Sequence, residues 1–339
     1  MTPLGFHLTA SAKFQDCEAR LLGFAVFYFK NKFDMKLHFS LPLFALALLF
    51  SNCKKDDSST GANLQFQFKF DATQERLNNI GLPAAIPAGH AAQSPDFQQM
   101  SVHYIELAPG ALTALGKGAI VYHAEETSKG GEAAVDFDKA AKADENEIFT
   151  KISLKNVPPG TYEWVRASVT YQSYDVTFNI NAVPFVGDLL NQKGRVASFV
   201  GFNTYLTTVT PKTKTLPVND DKKQGFWVFE TALTPPYDLY NDIYFGEAPA
   251  GATTVVNPLF ASSPIPAGSC VVTGKFAQPL VVTGNETEDV LVTLSFSINN
   301  SFEWIDTNSN GQLDLYGDGV TPAEQIVDMG LRGLIPSWK

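Results

Sequence analysis

The residues of this 339-residue chain that are best placed for chemistry form a short polar run near its C-terminal end. Oxygen-bearing side chains alternate along this run, at Asp306, Asn308, Asn310, Gln312 and Asp314. Calcium takes about six to eight hard oxygen ligands, which alternate side chains of a tight loop can supply by converging on one point. Gly311 permits the sharp turn that such a loop needs. The run therefore predicts a calcium site.

The spacing of this run resembles a calcium loop of the EF-hand type, D-x-[DN]-x-[DN]-G with a further Asp at position 9. In that resemblance Gln312 supplies its main-chain carbonyl oxygen. The pattern departs at position 12, where Gly317 stands instead of a bidentate glutamate, and Asp318 or Glu324 could substitute. Because 299–305 reads as a strand, the loop is more similar to isolated calcium loops of extracellular β-proteins and dockerins than to a paired EF-hand. An Asx-rich turn without an ion is the alternative.

A second candidate site consists of His103 and His123, which lie on the predicted strands Val102 to Leu107 and Ala119 to His123. If these strands pair, the two imidazoles could share a transition metal with a carboxylate. The neighbouring carboxylates are those of Glu106, Glu125 and Glu126. His90 could be a further ligand only if its loop folds over. The alternative is a structural histidine, because His103 lies on the apolar face of its strand.

Residues 35–52 have the parts of a secretory signal peptide: a basic start at Lys36 and the apolar run Leu41 to Phe50. This run has ten residues, half of the roughly 20 that a membrane span requires. Together with Cys53, which follows directly, the segment resembles the signals of bacterial lipoproteins. The resemblance implies cleavage before Cys53 and acylation of its thiol. Asn52 departs from the small residue usual at that position, a looser form similar to Bacteroidota signals.

The polar segment 53–63 is expected to be a flexible tether, since it has nothing to bury. Its Lys-Asp-Asp cluster resembles the surface-export signal of Bacteroidota lipoproteins, which implies an outer-membrane protein that faces the cell exterior. A plain linker on the periplasmic face is the alternative. Residues 1–34 are interpreted as a spurious upstream extension, with Met35 as the initiator. A transmembrane element there is disfavoured because the apolar run 21–29 has nine residues.

The rest of the chain alternates between apolar and polar residues with the period of two that is typical of half-buried strands. Leu64 to Phe70 and Val290 to Ile298 are the clearest examples. We predict a mostly β protein with antiparallel β-sandwich-like domains and little helix. The predicted domains are 64–205 and 206–339, the second containing the calcium-like loop at 306–318. The segment 207–223 either links the two or forms a hairpin loop within one sandwich.

Only two segments, Ala133 to Asn146 and Pro184 to Asn191, have any helical character. Neither has a convincing apolar stripe, and no alternation of strands and helices appears, which disfavours a doubly wound fold. Trp304, beside the polar run, is the candidate for an exposed recognition residue. Trp338 could pin the C-terminal end.

Charge and cysteine content narrow the function further. Residues 1–52 hold five of the 25 basic and three of the 35 acidic residues, which leaves 20 basic and 32 acidic in the remainder. A net charge near −12 repels phosphate backbones, so nucleic acid is an unfavourable partner. After processing, Cys270 would be the single free thiol, so the mature chain can form no internal disulfide.

Three functions fit these features. The first is a lipid-anchored binding or structural protein, stabilised by calcium, that binds a glycan or a protein partner. The second is a metal-handling lipoprotein that uses His103 and His123. The third is a hydrolase, although the sequence lacks the G-x-S-x-G and H-E-x-x-H motifs. The sequence favours the first and does not decide whether the protein is an enzyme.

Overall fold

The computed structural model describes residues 61–222, 224–249, 255–259 and 271–339. Within these ranges the chain is mostly β, as predicted, and its helical parts are two short 3₁₀ turns, Leu154–Asn156 and Tyr237–Tyr240. In the same ranges, no helix has the length and apolar character needed to cross a membrane. The signal peptide, Cys53 and Cys270 lie outside the described residues.

Twenty strands lie within the described residues. In chain order they are β1 (Asn63–Asp71), β2 (His90–Gln93), β3 (Asp96–Ala108), β4 (Ala119–His123), β5 (Glu126–Thr127), β6 (Ala134–Asp136), β7 (Ala143–Asp144), β8 (Ile148–Ser153), β9 (Gly160–Val183), β10 (Gly187–Phe199), β11 (Thr204–Val209), β12 (Leu216–Lys222), β13 (Phe226–Ala232), β14 (Ile243–Glu247), β15 (Val271–Val282), β16 (Val290–Ser297), β17 (Phe302–Ile305), β18 (Asp314–Tyr316), β19 (Ile326–Asp328) and β20 (Leu334–Trp338).

These strands form large, mainly antiparallel sheets that pack in a sandwich-like arrangement, so the predicted fold class is confirmed. The largest sheet has the order β14-β13-β10-β9-β3-β4, and β15 and β18 also pair with the long strand β9. A second sheet has the order β20-β16-β1-β8. Smaller sheets have the orders β12-β11-β6-β5 and β19-β17-β2.

The main core lies where the alternating faces of β1 and β16 meet the large sheet. The buried residues of β1 are Leu64, Phe66, Phe68 and Phe70, and those of β16 include Val292, Leu294 and Phe296. Each such side chain stabilises the fold by about 1.5–3 kcal/mol when it leaves water. Since β1 and β16 pair directly although their sequences are far apart, this core depends on both ends of the described chain.

Strands from both sides of residue 205 share the same sheets, since β1 pairs with β16 and β9 pairs with β15 and β18. Residues 61–339 form one compact unit. The division predicted near residue 205 therefore does not fall at a break between sheets. The segment that follows it forms the hairpin alternative, because β11 and β12 pair antiparallel through residue 222.

The two segments with helical character are not helical. Residues 133–146 contain the short strands β6 and β7. In 184–191 a three-residue turn leads directly into β10, and Phe185 and Gly187 have φ values of +64° and +89°. These left-handed conformations close a hairpin and are incompatible with a helical turn. The helical interpretation was wrong because these residues pair as strands or form the turn between them.

Candidate functional site

The polar run forms a loop between β17 and β18, which we call the polar loop (residues 306–314). Its main chain folds around Asp306, whose carboxylate accepts hydrogen bonds from the amides of Asn310 (3.2 Å) and Gly311 (2.9 Å). Ser309 and Gly311 have φ values of +59° and +73°, so the chain reverses sharply here. A glycine has no Cβ and adopts this conformation at low cost, which explains its place in the loop.

The side chains of the polar loop converge on Asp314, which is fully buried. Its Oδ2 accepts hydrogen bonds from the amide nitrogens of Asn308 (2.6 Å) and Asn310 (2.7 Å). Its Oδ1 accepts one from the Nδ2 of Asn179 on β9 (2.9 Å). Burial raises the pKa of Asp314, but the hydrogen bonds from these amides outweigh it and hold the pKa below its ordinary value. The centre of the loop is thus a buried carboxylate.

Trp304 is buried directly beneath the polar loop, so the prediction of an exposed recognition residue was wrong. Its Nε1 donates a hydrogen bond to the main-chain oxygen of Gln312 (3.1 Å), while the side chain of Gln312 is exposed. The residues of β17 are buried on both faces because this strand lies inside the sandwich, so alternation could not reveal which face is covered. Trp304 supports the loop from below.

The two residues proposed to replace the missing glutamate behave differently. Glu324 is buried and accepts hydrogen bonds from the main-chain amides of Thr307 (2.7 Å) and Asp314 (2.9 Å). It therefore fastens both ends of the loop. Asp318 instead caps its own turn, accepting from the amides of Val320 (2.9 Å) and Thr321 (2.8 Å). These bonds are local, so Asp318 is not brought to the centre of the loop.

The donor set of the polar loop suits calcium. Two carboxylates, two side-chain amides and a main-chain carbonyl supply hard oxygens, and water commonly completes such sites. The amides of Asn308 and Asn310 point their nitrogens at Asp314. Their oxygens accept the main-chain amides of Asn310 (3.1 Å) and Gln312 (2.7 Å), so both side chains would have to exchange these bonds to turn oxygen toward an ion. The residue types of the loop therefore match those of a calcium loop, and an ion would have to replace hydrogen bonds that now satisfy these oxygens.

The polar loop is joined to the hairpin of β9 and β10, whose residues 179–191 we call the apolar hairpin. β18 pairs in parallel with β9, with Asp314 opposite Asn179. Asn179 also accepts a hydrogen bond from the main-chain amide of Asn191 on the second strand (2.9 Å). One side chain thus connects the centre of the loop to both strands of the hairpin. No pattern in the sequence indicates this role of Asn179.

The tip of the apolar hairpin presents unusual surface. Phe185 is fully exposed, and Val186 and Leu190 are also exposed. Clusters of large apolar side chains in water are costly, and on soluble proteins they commonly mark contact surfaces. The tip directly follows β9, which pairs with β18, so the polar loop and these exposed apolar side chains lie in the same region of the molecule.

The histidine candidates also meet, because β3 and β4 pair as the sequence required. His103 Nε2 lies 2.8 Å from Glu126 Oε1, and His123 Nε2 lies 3.7 Å from the same oxygen. The ligand atoms of the three residues all lie within 4.8 Å of one another. We call these three residues the histidine trio. Of the three carboxylates considered from the sequence, Glu126 is the one that completes it.

His103 is the buried member of the histidine trio, and its ring stacks on Phe202 with centroids 4.1 Å apart. Burial lowers the pKa of His103, and the hydrogen bond to Glu126 only partly opposes this effect. A neutral imidazole is the form that binds a metal. The contact with Phe202 could not be read from the sequence, since it joins residues about a hundred positions apart.

The other predicted partners are engaged elsewhere. Glu106 is fully buried and pairs with Arg166 (3.4 Å). Glu125 forms an ion pair with Lys139. His90, which could have been a ligand only if its loop folded over, does not join these residues, because its Nδ1 lies 2.6 Å from the buried Glu303. His90 belongs to a strand, β2, that is fixed against β17, so its position cannot adapt to the histidine trio.

No protein-family model, curated protein or solved structure matches the chain. The features that bear on its function are therefore the polar loop, the apolar hairpin and the histidine trio.

Proposed function

We propose that the chain is a lipid-anchored extracytoplasmic binding protein in which a calcium ion in the polar loop holds the apolar hairpin ready for a glycan or protein partner. The observation that supports this proposal is the buried carboxylate of Asp314, which contacts side chains of both the loop and the hairpin. A cation there would act on both elements at once.

The proposed cellular location of the protein rests on the sequence of residues 35–53. Acylation of Cys53 would hold the chain to the outer membrane, with the exterior favoured by the Lys-Asp-Asp cluster and the periplasmic face as the alternative. Both settings lie outside the cytoplasm. In such settings millimolar calcium is common, and a site with a dissociation constant of about 0.1–1 mM would be filled. The predicted anchor and the donor set of the loop are therefore compatible.

The apolar hairpin supports a binding role in preference to a purely structural one. Phe185 offers an aromatic ring that can stack on a sugar or enter a protein pocket. A hairpin tip is an entropically expensive place for such a side chain unless its strands are held rigid. The hydrogen bonds of Asn179 to the loop and to Asn191 supply that rigidity.

The test is the melting temperature of the full chain in detergent, with 10 mM calcium or with a chelator. Calcium should raise it by about 3–8 °C, the range expected for a ligand at about ten to a hundred times its dissociation constant. Asp306→Ala should remove this rise. Asp318→Ala, in the separate turn, should keep it. Equal melting with calcium and chelator would refute the calcium site.

The anchor is tested independently by metabolic labelling with a fatty acid. Cys53→Ser should abolish labelling and release the protein from the membrane fraction. Labelling that persists in this variant would show that the lipid, if present, is attached elsewhere.

A further inference from the structure

We propose that the histidine trio is a binding site for a divalent transition metal of the zinc type, separate from the polar loop. Two imidazoles and one carboxylate form a ligand set that suits Zn²⁺ and neighbouring ions, whereas calcium prefers oxygen alone. The trio and the loop therefore select different metals.

The distances of the histidine trio are close to those of a bound ion. A tetrahedral Zn²⁺ with bonds of about 2.0–2.1 Å places its ligand atoms about 3.3–3.5 Å apart. The separation of Glu126 Oε1 from the Nε2 atom is 2.8 Å at His103 and 3.7 Å at His123. One distance must widen and the other must narrow, each by about half an ångström, and the ligand atoms of the two histidines, which lie within 4.8 Å, must also reach this range. Small rotations of His123 and Glu126, whose side chains are exposed, would provide such a change.

Contacts on the protein side hold both rings, and Nε2 of His103, which donates to Glu126, would have to give up that proton to bind an ion. Nδ1 of His123 lies 2.8 Å from the carbonyl oxygen of Ala124 and donates a proton to it, which leaves Nε2 free to bind. The stacked ring of Phe202 limits the rotation of His103. The main-chain amide of Ala124 donates to the carbonyl oxygen of His103 (2.7 Å), so the two strands are also fastened at this point. These contacts place the two histidine rings next to each other without a bound ion.

The carboxylate of Glu126 lies beside the two histidine rings. The nearby cation, Lys139, forms its ion pairs with Glu125 and with Asp136 (3.6 Å). A carboxylate beside two imidazoles lowers the cost of bringing a dication to this surface. Lys139 also makes Glu125 a suitable control, since its carboxylate is adjacent in sequence but is engaged elsewhere.

Solvent reaches the histidine trio from one side. The side chain of His123 is 46% exposed and that of Glu126 is 38% exposed, while that of His103 is 8% exposed. Three protein ligands with an exposed face leave a fourth position for water or for an external ligand. The arrangement fits a site that takes up and releases a metal more readily than a closed structural site would.

The experiment is a zinc titration of the chelator-treated full chain in detergent, followed by calorimetry. The wild type should bind Zn²⁺ at the trio, and His123→Ala and Glu126→Gln should each weaken that binding by more than about 100-fold. Glu125→Gln should bind as the wild type does. Cobalt supplies a second reading, since a site with two nitrogen ligands should give a visible spectrum that His123→Ala removes.

Several outcomes would overturn the proposal. Zinc affinity that is equal in the wild type, His123→Ala and Glu126→Gln would place any bound zinc elsewhere. A wild-type chain that binds no zinc would refute the site outright. Both substitutions affect exposed side chains, so the melting temperature without metal should stay within about 2 °C of the wild type and excludes misfolding as the cause. Calcium binding at the polar loop should be the same in all four proteins.

Discussion

The polar loop and the histidine trio are both metal candidates, yet they are built in opposite ways. The loop takes its ligands from nine consecutive residues and gathers them around a buried carboxylate. The trio takes its ligands from three strands and leaves two of them exposed to solvent. A local motif can be recognised in a sequence, whereas a site assembled by strand pairing depends on a register that the sequence does not state.

The two sites also differ in what they can influence. The polar loop is bonded through Asn179 to a hairpin that carries exposed apolar side chains. The histidine trio lies beside the ring of Phe202 and near the ion pairs of Lys139. We infer that a calcium ion in the polar loop would make the apolar hairpin more rigid. A metal ion in the histidine trio would affect only the residues around the trio.

The largest effect should come from the centre of the polar loop. Asp314→Ala removes a buried carboxylate and leaves the buried amide of Asn179 without its acceptor. The exposed amides of Asn308 and Asn310 lose the same partner. The free energy of unfolding should fall by about 3–4 kcal/mol, measured by urea denaturation in chelator. Asp318→Ala should lose less than about 1 kcal/mol, because its turn is exposed. An equal loss of unfolding free energy in both variants would show that Asp314 contributes no more to stability than Asp318 does.

A reciprocal metal experiment separates the two sites. Zinc should raise the melting temperature of Asp306→Ala but not of His123→Ala, and calcium should do the reverse. A rise of several degrees is expected wherever the site is intact, since each ion stabilises the folded state by about 1–3 kcal/mol at concentrations well above its dissociation constant. Loss of both responses in one variant would mean that the sites are not independent.

The smallest effect concerns the connection between the polar loop and the apolar hairpin. Asn179→Ala removes the hydrogen bonds to Asp314 and from Asn191, at a cost of about 1–2 kcal/mol. Calcium should still raise its melting temperature, but limited proteolysis at 184–186 should become faster than in the wild type even with calcium present. Unchanged cleavage would contradict the coupling through Asn179.

Much of the fold followed from the sequence, because period-two alternation reports a half-buried strand directly. It identified β1, β4 and β16 with nearly correct ends. It could not show that β1 pairs with β16, since a pairing between distant segments has no local signature. For the same reason, the sequence could not show that strands on both sides of residue 205 share sheets.

The candidate sites, like the fold, could be predicted from the sequence only in part. The donors of the polar loop were recognisable from spacing alone, while the role of Asn179 depends on the pairing of β18 with β9. His103 and His123 were named from the sequence, but the choice of Glu126 over Glu125 was decided by the geometry after β4. Trp304 was misjudged because a strand buried on both faces shows no alternation.

Hydrogen exchange of the full chain, with and without calcium, tests the central claim most directly. If calcium in the polar loop orders the apolar hairpin, amide protection should increase in residues 179–191 and 306–316, and residues 119–126 should stay unchanged as an internal reference. In Asp306→Ala, calcium should leave all three segments unchanged. Protection that is the same with and without calcium in residues 179–191 of the wild type would contradict the account.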